Sequence, residues 1–181
     1  MTISLICHPA TPPFAVEDVE ATVELSAEGG LWVRYHVVCD LDALVLPDPA
    51  EPERTDGLWK STCFEIFLRR QGEQSYFEYN FSPSGQWAAY AFNGYRSGQT
   101  DLPLTGTMRI SLEASETHFA LEAELELPEG WVFGPLDINT TAVIEEAGDT
   151  KSYWALMHNP AKPDFHDGDC FALSLKAGET A

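Results

Sequence analysis

Residues 117–127 hold the feature that most constrains the fold: Phe119, Leu121, Ala123, Leu125 and Leu127 alternate with Glu122, Glu124 and Glu126. A period of two places every apolar side chain on one face of an extended strand and every carboxylate on the other. The segment therefore reads as a strand with one dry and one wet face. The same period recurs along the chain, and convincing helical periodicity appears nowhere. Val19, Ala21, Val23 and Leu25 alternate with Glu20, Thr22 and Glu24, and the turn residues Gly29 and Gly30 lead into Leu31, Val33, Tyr35 and Val37, which predicts a hairpin. Further strands are predicted over 64–69, 76–81, 86–92, 108–114, 138–145, 152–157 and 170–175, with a type I turn at Ser82-Pro83-Ser84-Gly85. About nine to eleven short strands separated by turn signals predict an all-β chain, a two-sheet antiparallel β-sandwich of jelly-roll-like form.

A length of 181 residues with 44% apolar side chains suits one domain with one core, expected over 1–176, with 177–181 a disordered tail. Pro47, Pro49 and Pro52 lie among acidic residues in 40–55 and predict a long surface loop. The formal net charge of -19 repels phosphate backbones and anionic headgroups, so no nucleic-acid or membrane partner is expected. Residues 1–14 lack the basic start and unbroken apolar run of a signal peptide, and no segment has the roughly 18 apolar residues of a membrane span. A cytoplasmic location is expected. Cys7, Cys39, Cys63 and Cys170 form no C-x-x-C pair and are expected as buried free thiols.

Residues 56–96 gather the side chains with chemistry. Trp59 stands just before a strand, and Glu65 lies on that strand's non-core face beside Phe67 and Arg69, opposite Phe64, Ile66 and Leu68. On the next strand Glu78 and Asn80 share a face with Tyr76, opposite Phe77, Tyr79 and Phe81. An indole can stack on the axial hydrogens of a pyranose while a carboxylate accepts hydrogen bonds from its hydroxyls. Arg96 offers a fork of donors at the rim, and Trp154 is placed to oppose Trp59. Trp59, Glu65, Glu78, Asn80, Arg96 and Trp154 are therefore the expected ligand-binding residues, for a small molecule or carbohydrate. The structural alternative makes Trp59 an interior plug and the carboxylates ordinary surface groups, as in a protein-interaction domain.

No G-x-S-x-G, H-E-x-x-H, G-x-x-x-x-G-K-[ST] or G-x-G-x-x-G occurs, so no catalytic residue is assigned. A glycosidase would need Glu65 and Glu78 as its carboxyl pair. No metal ligand is assigned either. Asp167 and Asp169 come nearest to a calcium loop but match no twelve-residue EF-hand pattern.

Leu58-Trp59 with Glu65 on the following strand, the block over 76–92, and Tyr153-Trp154 resemble the DOMON-like proteins related to family 9 carbohydrate-binding modules. The resemblance covers about residues 55–175. It implies a two-sheet sandwich, sugar recognition by paired tryptophans with polar neighbours and, in the carbohydrate modules, structural calcium. Trp59 and Trp154 resemble the stacking pair, and Glu65 resembles the carboxylate that bonds to sugar hydroxyls. The wider group includes haem-binding domains, for which Met157 or His158 would be the axial ligand.

Overall fold

The computed structural model describes residues 2–104, 106–131 and 134–180. Among the described residues the alternation resolves into fourteen strands: β1 (Ile3–Ser4), β2 (Ile6–Cys7), β3 (Val16–Leu25), β4 (Gly30–Cys39), β5 (Cys63–Arg70), β6 (Tyr76–Phe81), β7 (Trp87–Phe92), β8 (Thr100–Asp101), β9 (Arg109–Ala114), β10 (His118–Glu126), β11 (Leu136–Glu146), β12 (Thr150–Ala155), β13 (Leu173–Leu175) and β14 (Glu179–Thr180). Ten of them exceed two residues, within the expected number. Short 3-10 turns form at Leu41–Ala43, Leu58–Lys60 and Gly168–Cys170. Among the described residues no helix is long and apolar enough to cross a membrane.

Every pairing between these strands is antiparallel; the isolated bridge between Arg54 and Trp87 is parallel. The first sheet runs β1-β3-β4-β10-β9 with β14 beside β3, and the second runs β2-β12-β11-β5-β6-β7-β8 with β13 beside β11. The segment 40–55 is a loop with one 3-10 turn, as its prolines require. Residues 82–85 form a tight turn, in which the Gly85 N–H donates to the Ser82 carbonyl and Gly85 takes φ 91, a conformation that L side chains rarely adopt.

The core lies between the sheets. Val19, Val23, Val33, Tyr35 and Leu121 from the first meet Phe64, Ile66, Leu68, Tyr79 and Ile144 from the second, all fully buried. Each such side chain contributes about 1.5–3 kcal/mol by leaving water. Tyr35 spans the core, and its hydroxyl donates to the Glu65 backbone carbonyl at 2.6 Å, which buries the phenol without an orphaned polar group. A second apolar cluster occupies the outer face of the second sheet, where Phe67, Tyr76, Tyr90 and Val143 pack with Phe165 and Phe171 of the segment after β12. That sheet is therefore covered on both faces, and every residue from Cys63 to Leu68 is buried.

Two boundaries differ from expectation. The tail expected to be disordered places Glu179 opposite Leu25 and Thr180 opposite Glu24, because β3 leaves its edge backbone groups unpaired there; Ala181 lies outside the described residues. The strand expected over 170–175 begins only at Leu173, since Gly168–Cys170 closes a 3-10 turn first. All four cysteines are free, three of them buried and Cys7 half-buried.

Candidate ligand-binding site

The outer face of the second sheet carries the site. The β5–β6 register sets Glu65 opposite Asn80 and Phe67 opposite Glu78, so Glu65 and Glu78 are diagonal neighbours on one face. They border a cavity of about 340 Å³. The sheet contributes Glu65, Glu78, Phe92, Val143 and Tyr153; the Leu58–Lys60 turn contributes Trp59; the turn after β7 adds Arg96 and Gln99; and the segment after β12 adds Pro163, Phe165 and His166. A few convergent polar groups among aromatic walls, at the lower end of the roughly 300–1,000 Å³ usual for small-ligand pockets, make a binding-site geometry. A larger recess of about 800 Å³ lies at the ends of β3, β4 and β10, but its charged residues Glu24, Arg109, Glu124 and Glu126 are all exposed and converge on no buried point.

Local structure holds each element in place. Gly57, at φ 80, starts the turn that presents Trp59. The indole stands 41% exposed, edge-on to Tyr90 with ring centroids 6.3 Å apart. Lys151 donates to the Lys60 carbonyl and ties that turn to β12.

The opposite wall hangs on Asp164, which is 4% exposed. Its carboxylate accepts from the Tyr95 hydroxyl at 2.6 Å, from Arg96 Nε at 3.2 Å and Nη2 at 2.8 Å, and from the His166 backbone N–H at 3.3 Å. Arg96 holds a positive φ of 49, a strained conformation for a residue with a side chain, which these bonds help to maintain. Burial works to raise the Asp164 pKa, but its bonds from Tyr95 and Arg96 outweigh this and hold it below the ordinary value. Asp164→Ala should cost about 1–2 kcal/mol in urea denaturation, discounted because the Arg96 side chain is half-exposed. An unchanged midpoint would deny Asp164 this role.

Burial, and then the charge of Glu78, push the Glu65 carboxyl well above its ordinary range. Thr141 and Arg96 pull the other way, although the Thr141 hydroxyl falls short of hydrogen-bond geometry. Burial raises Glu78 to about 7 against the opposing pull of Asn80 and Arg96. Burial, assisted by the Arg96 charge, lowers His166 to about 4, so its 3.7 Å contact with Glu78 is not an ion pair near neutrality. The Tyr76 hydroxyl accepts from the Arg96 backbone N–H at 3.3 Å and shares a hydrogen bond with His166 Nδ1 at 2.7 Å, which turns His166 Nε2 toward Glu78.

Of the residues expected to meet a ligand, Trp59, Glu65, Glu78 and Arg96 come together around the cavity. Asn80 does not. It is fully buried and donates from Nδ2 to Glu78 Oε1 at 2.8 Å, so it orients the carboxyl from beneath. Trp154 was expected as the second stacking wall, but it is 5% exposed within the core between the sheets, its Nε1 donating to Ser152 Oγ at 2.9 Å. Successive strand residues point to opposite faces, and on β12 it is Tyr153 that turns to the cavity. Alternation alone could have separated the two neighbours, but not told which faced inward. Gln99, Phe165 and His166 lie in irregular segments with no such signal.

The residues nearest to a calcium or haem ligand set in the sequence are engaged locally. The Asp167 carboxylate accepts from Asn159 Nδ2 at 2.7 Å and the Asp169 N–H at 3.1 Å, as a turn cap does. His158 Nε2 donates to the Ile6 carbonyl at 2.7 Å.

No protein-family model matches the sequence, and no curated protein does. A solved protein from Bacteroides uniformis, proposed to bind carbohydrate, superposes with a TM-score of 0.65 at 12% identity over 94% of this chain and 83% of that one. A family 9 carbohydrate-binding module from Caldicellulosiruptor kristjanssonii, solved with glucose and with cellotriose, gives a TM-score of 0.50 at 10% identity over 93% of this chain, and over 78% and 76% of the two module chains. This chain shares their fold. Identity this low carries the sandwich architecture and leaves the ligand to the side chains.

Proposed function

We propose that this chain is a non-catalytic domain that binds a carbohydrate or sugar-like metabolite in the cavity between Trp59 and the Glu65–Glu78 pair. The observation that carries this reading is an exposed indole bordering the same cavity as two nearly buried carboxyl groups. The indole supplies a flat apolar platform for the ring face of a sugar, and the carboxyls accept or donate hydrogen bonds according to their protonation. The fold likeness to modules solved with glucose and cellotriose supports it, as does the DOMON-like resemblance.

Calorimetric titration with glucose and cellotriose tests the proposal. Trp59→Ala should weaken the affinity by about 1–2 kcal/mol, a factor of about 5–30, while the melting temperature holds because the side chain lies outside the core. Equal affinity in the variant would remove the indole from the site. Glycoside hydrolysis is a second reading, favoured by Glu78 at about 7 beside another carboxyl. It requires turnover of an activated aryl glycoside that Glu78→Gln abolishes.

A further inference from the structure

The charges around the cavity do not balance. Glu65 comes from β5 and Glu78 from β6, at 4% and 5% exposure. Among the described residues neither faces a free cation. The Arg96 guanidinium lines the cavity, yet it is matched by the nearly buried Asp164 at 2.8 Å. His166, on the segment after β12, is uncharged near neutrality. Lys151 on β12 pairs with Glu145 at 3.8 Å. With both glutamates ionised, Arg96 would attract both but is already matched by Asp164, so two negative charges would remain in excess around the cavity, where burial makes a net charge costly.

Resting on the carbohydrate reading above, we infer that this cavity selects a sugar bearing a protonated amino group over its neutral counterpart. A primary ammonium brings three donors and one positive charge to two carboxyls that otherwise have acceptors and no counterion. Trp59 and Tyr153 line the same cavity, and an aromatic ring beside a bound ammonium adds an attraction for the cation. The excess of 29 acidic over 10 basic residues adds a long-range field of the same sign. A neutral sugar leaves the protonation of the carboxyl pair as it was. An ammonium sugar favours one ionised carboxylate as its counterion, and the one proton displaced from that carboxyl passes to solvent, so charge and protons balance without any further reactant.

The test is calorimetric titration near neutral pH of the whole chain with three disaccharides of one linkage: a β-1,4 glucosamine dimer, its N-acetylated form and cellobiose. Each is run in two buffers of different ionisation enthalpy. The glucosamine dimer should bind at least about ten-fold tighter than cellobiose, with proton release seen only for the charged ligand. Glu65→Gln and Glu78→Gln should each bring that ratio toward one, and because glutamine keeps the shape, either variant suffices if the other fails to fold. Cellobiose binding equal to or tighter than the glucosamine dimer overturns the selectivity and leaves the carbohydrate reading standing. Binding of none of the three, nor of glucose or cellotriose, overturns both.

Discussion

Trp154→Ala should lower the stability of the folded chain by about 3–5 kcal/mol, measured by urea denaturation, while the protein that remains folded keeps its ligand affinity. The indole is 5% exposed among the core residues between the sheets, on a strand whose backbone pairs Trp154 with Ala142 on one side and Cys7 on the other. Truncation leaves a cavity that two hydrogen-bonded sheets cannot collapse to fill, and it strands the Ser152 hydroxyl that accepted from Nε1. Trp59→Ala offers the contrast, since an exposed side chain removed from the surface usually changes stability by less than about 0.5 kcal/mol. The two tryptophans should thus separate into a stability variant and a binding variant. A Trp154→Ala protein of unchanged stability would show that this placement is wrong.

Glu78→Gln should change how stability depends on pH. In the folded chain Glu78 holds its proton up to about 7, against an ordinary value of 4.5. Between those values the folded state binds more protons than the unfolded state, so stability falls as pH rises through the window, by about 3 kcal/mol in all. Glutamine removes that loss, and Glu65 sheds a repulsive neighbour in the same variant, which acts in the same direction. His166 opposes this in the wild type. Its folded value of about 4 lies below the ordinary 6.5, so the unfolded state binds the extra proton and stability falls as pH drops from 6.5 toward 4. Comparing variant with wild type at each pH cancels the His166 contribution to first order. Denaturation curves should show the gap moving by about 3 kcal/mol in the variant's favour between about pH 4.5 and 8. A pH-independent gap would mean that Glu78 titrates as an ordinary surface carboxyl.

Much of the site was readable because alternation is a local property. Glu65 and Glu78 were placed on the non-core faces of adjacent strands from the spacing of Phe64, Ile66, Leu68, Phe77, Tyr79 and Phe81, and the register sets them on one surface. Asn80 has the same phase as Glu78, yet period two cannot report depth: its position next to Glu65 in the ladder buries it completely, and it serves the carboxyl instead of the cavity. The second apolar cluster was equally hidden, because Phe165 and Phe171 belong to a segment with no periodicity and reach Phe67 only through tertiary packing.

From the residues alone came the all-β class, the two-sheet sandwich, the β3–β4 hairpin, the proline-rich loop and the position of Trp59 just before the strand that carries Glu65. Those follow from side-chain direction and backbone restriction, which act over a few neighbouring residues. Tertiary structure alone decided that Tyr153 lines the cavity and Trp154 packs in the core, that Asp164 secures Arg96, and that the two carboxyls border one cavity. The reason is range: which face of a strand turns inward, and how far a charge lies from its counterion, depend on segments distant in the chain.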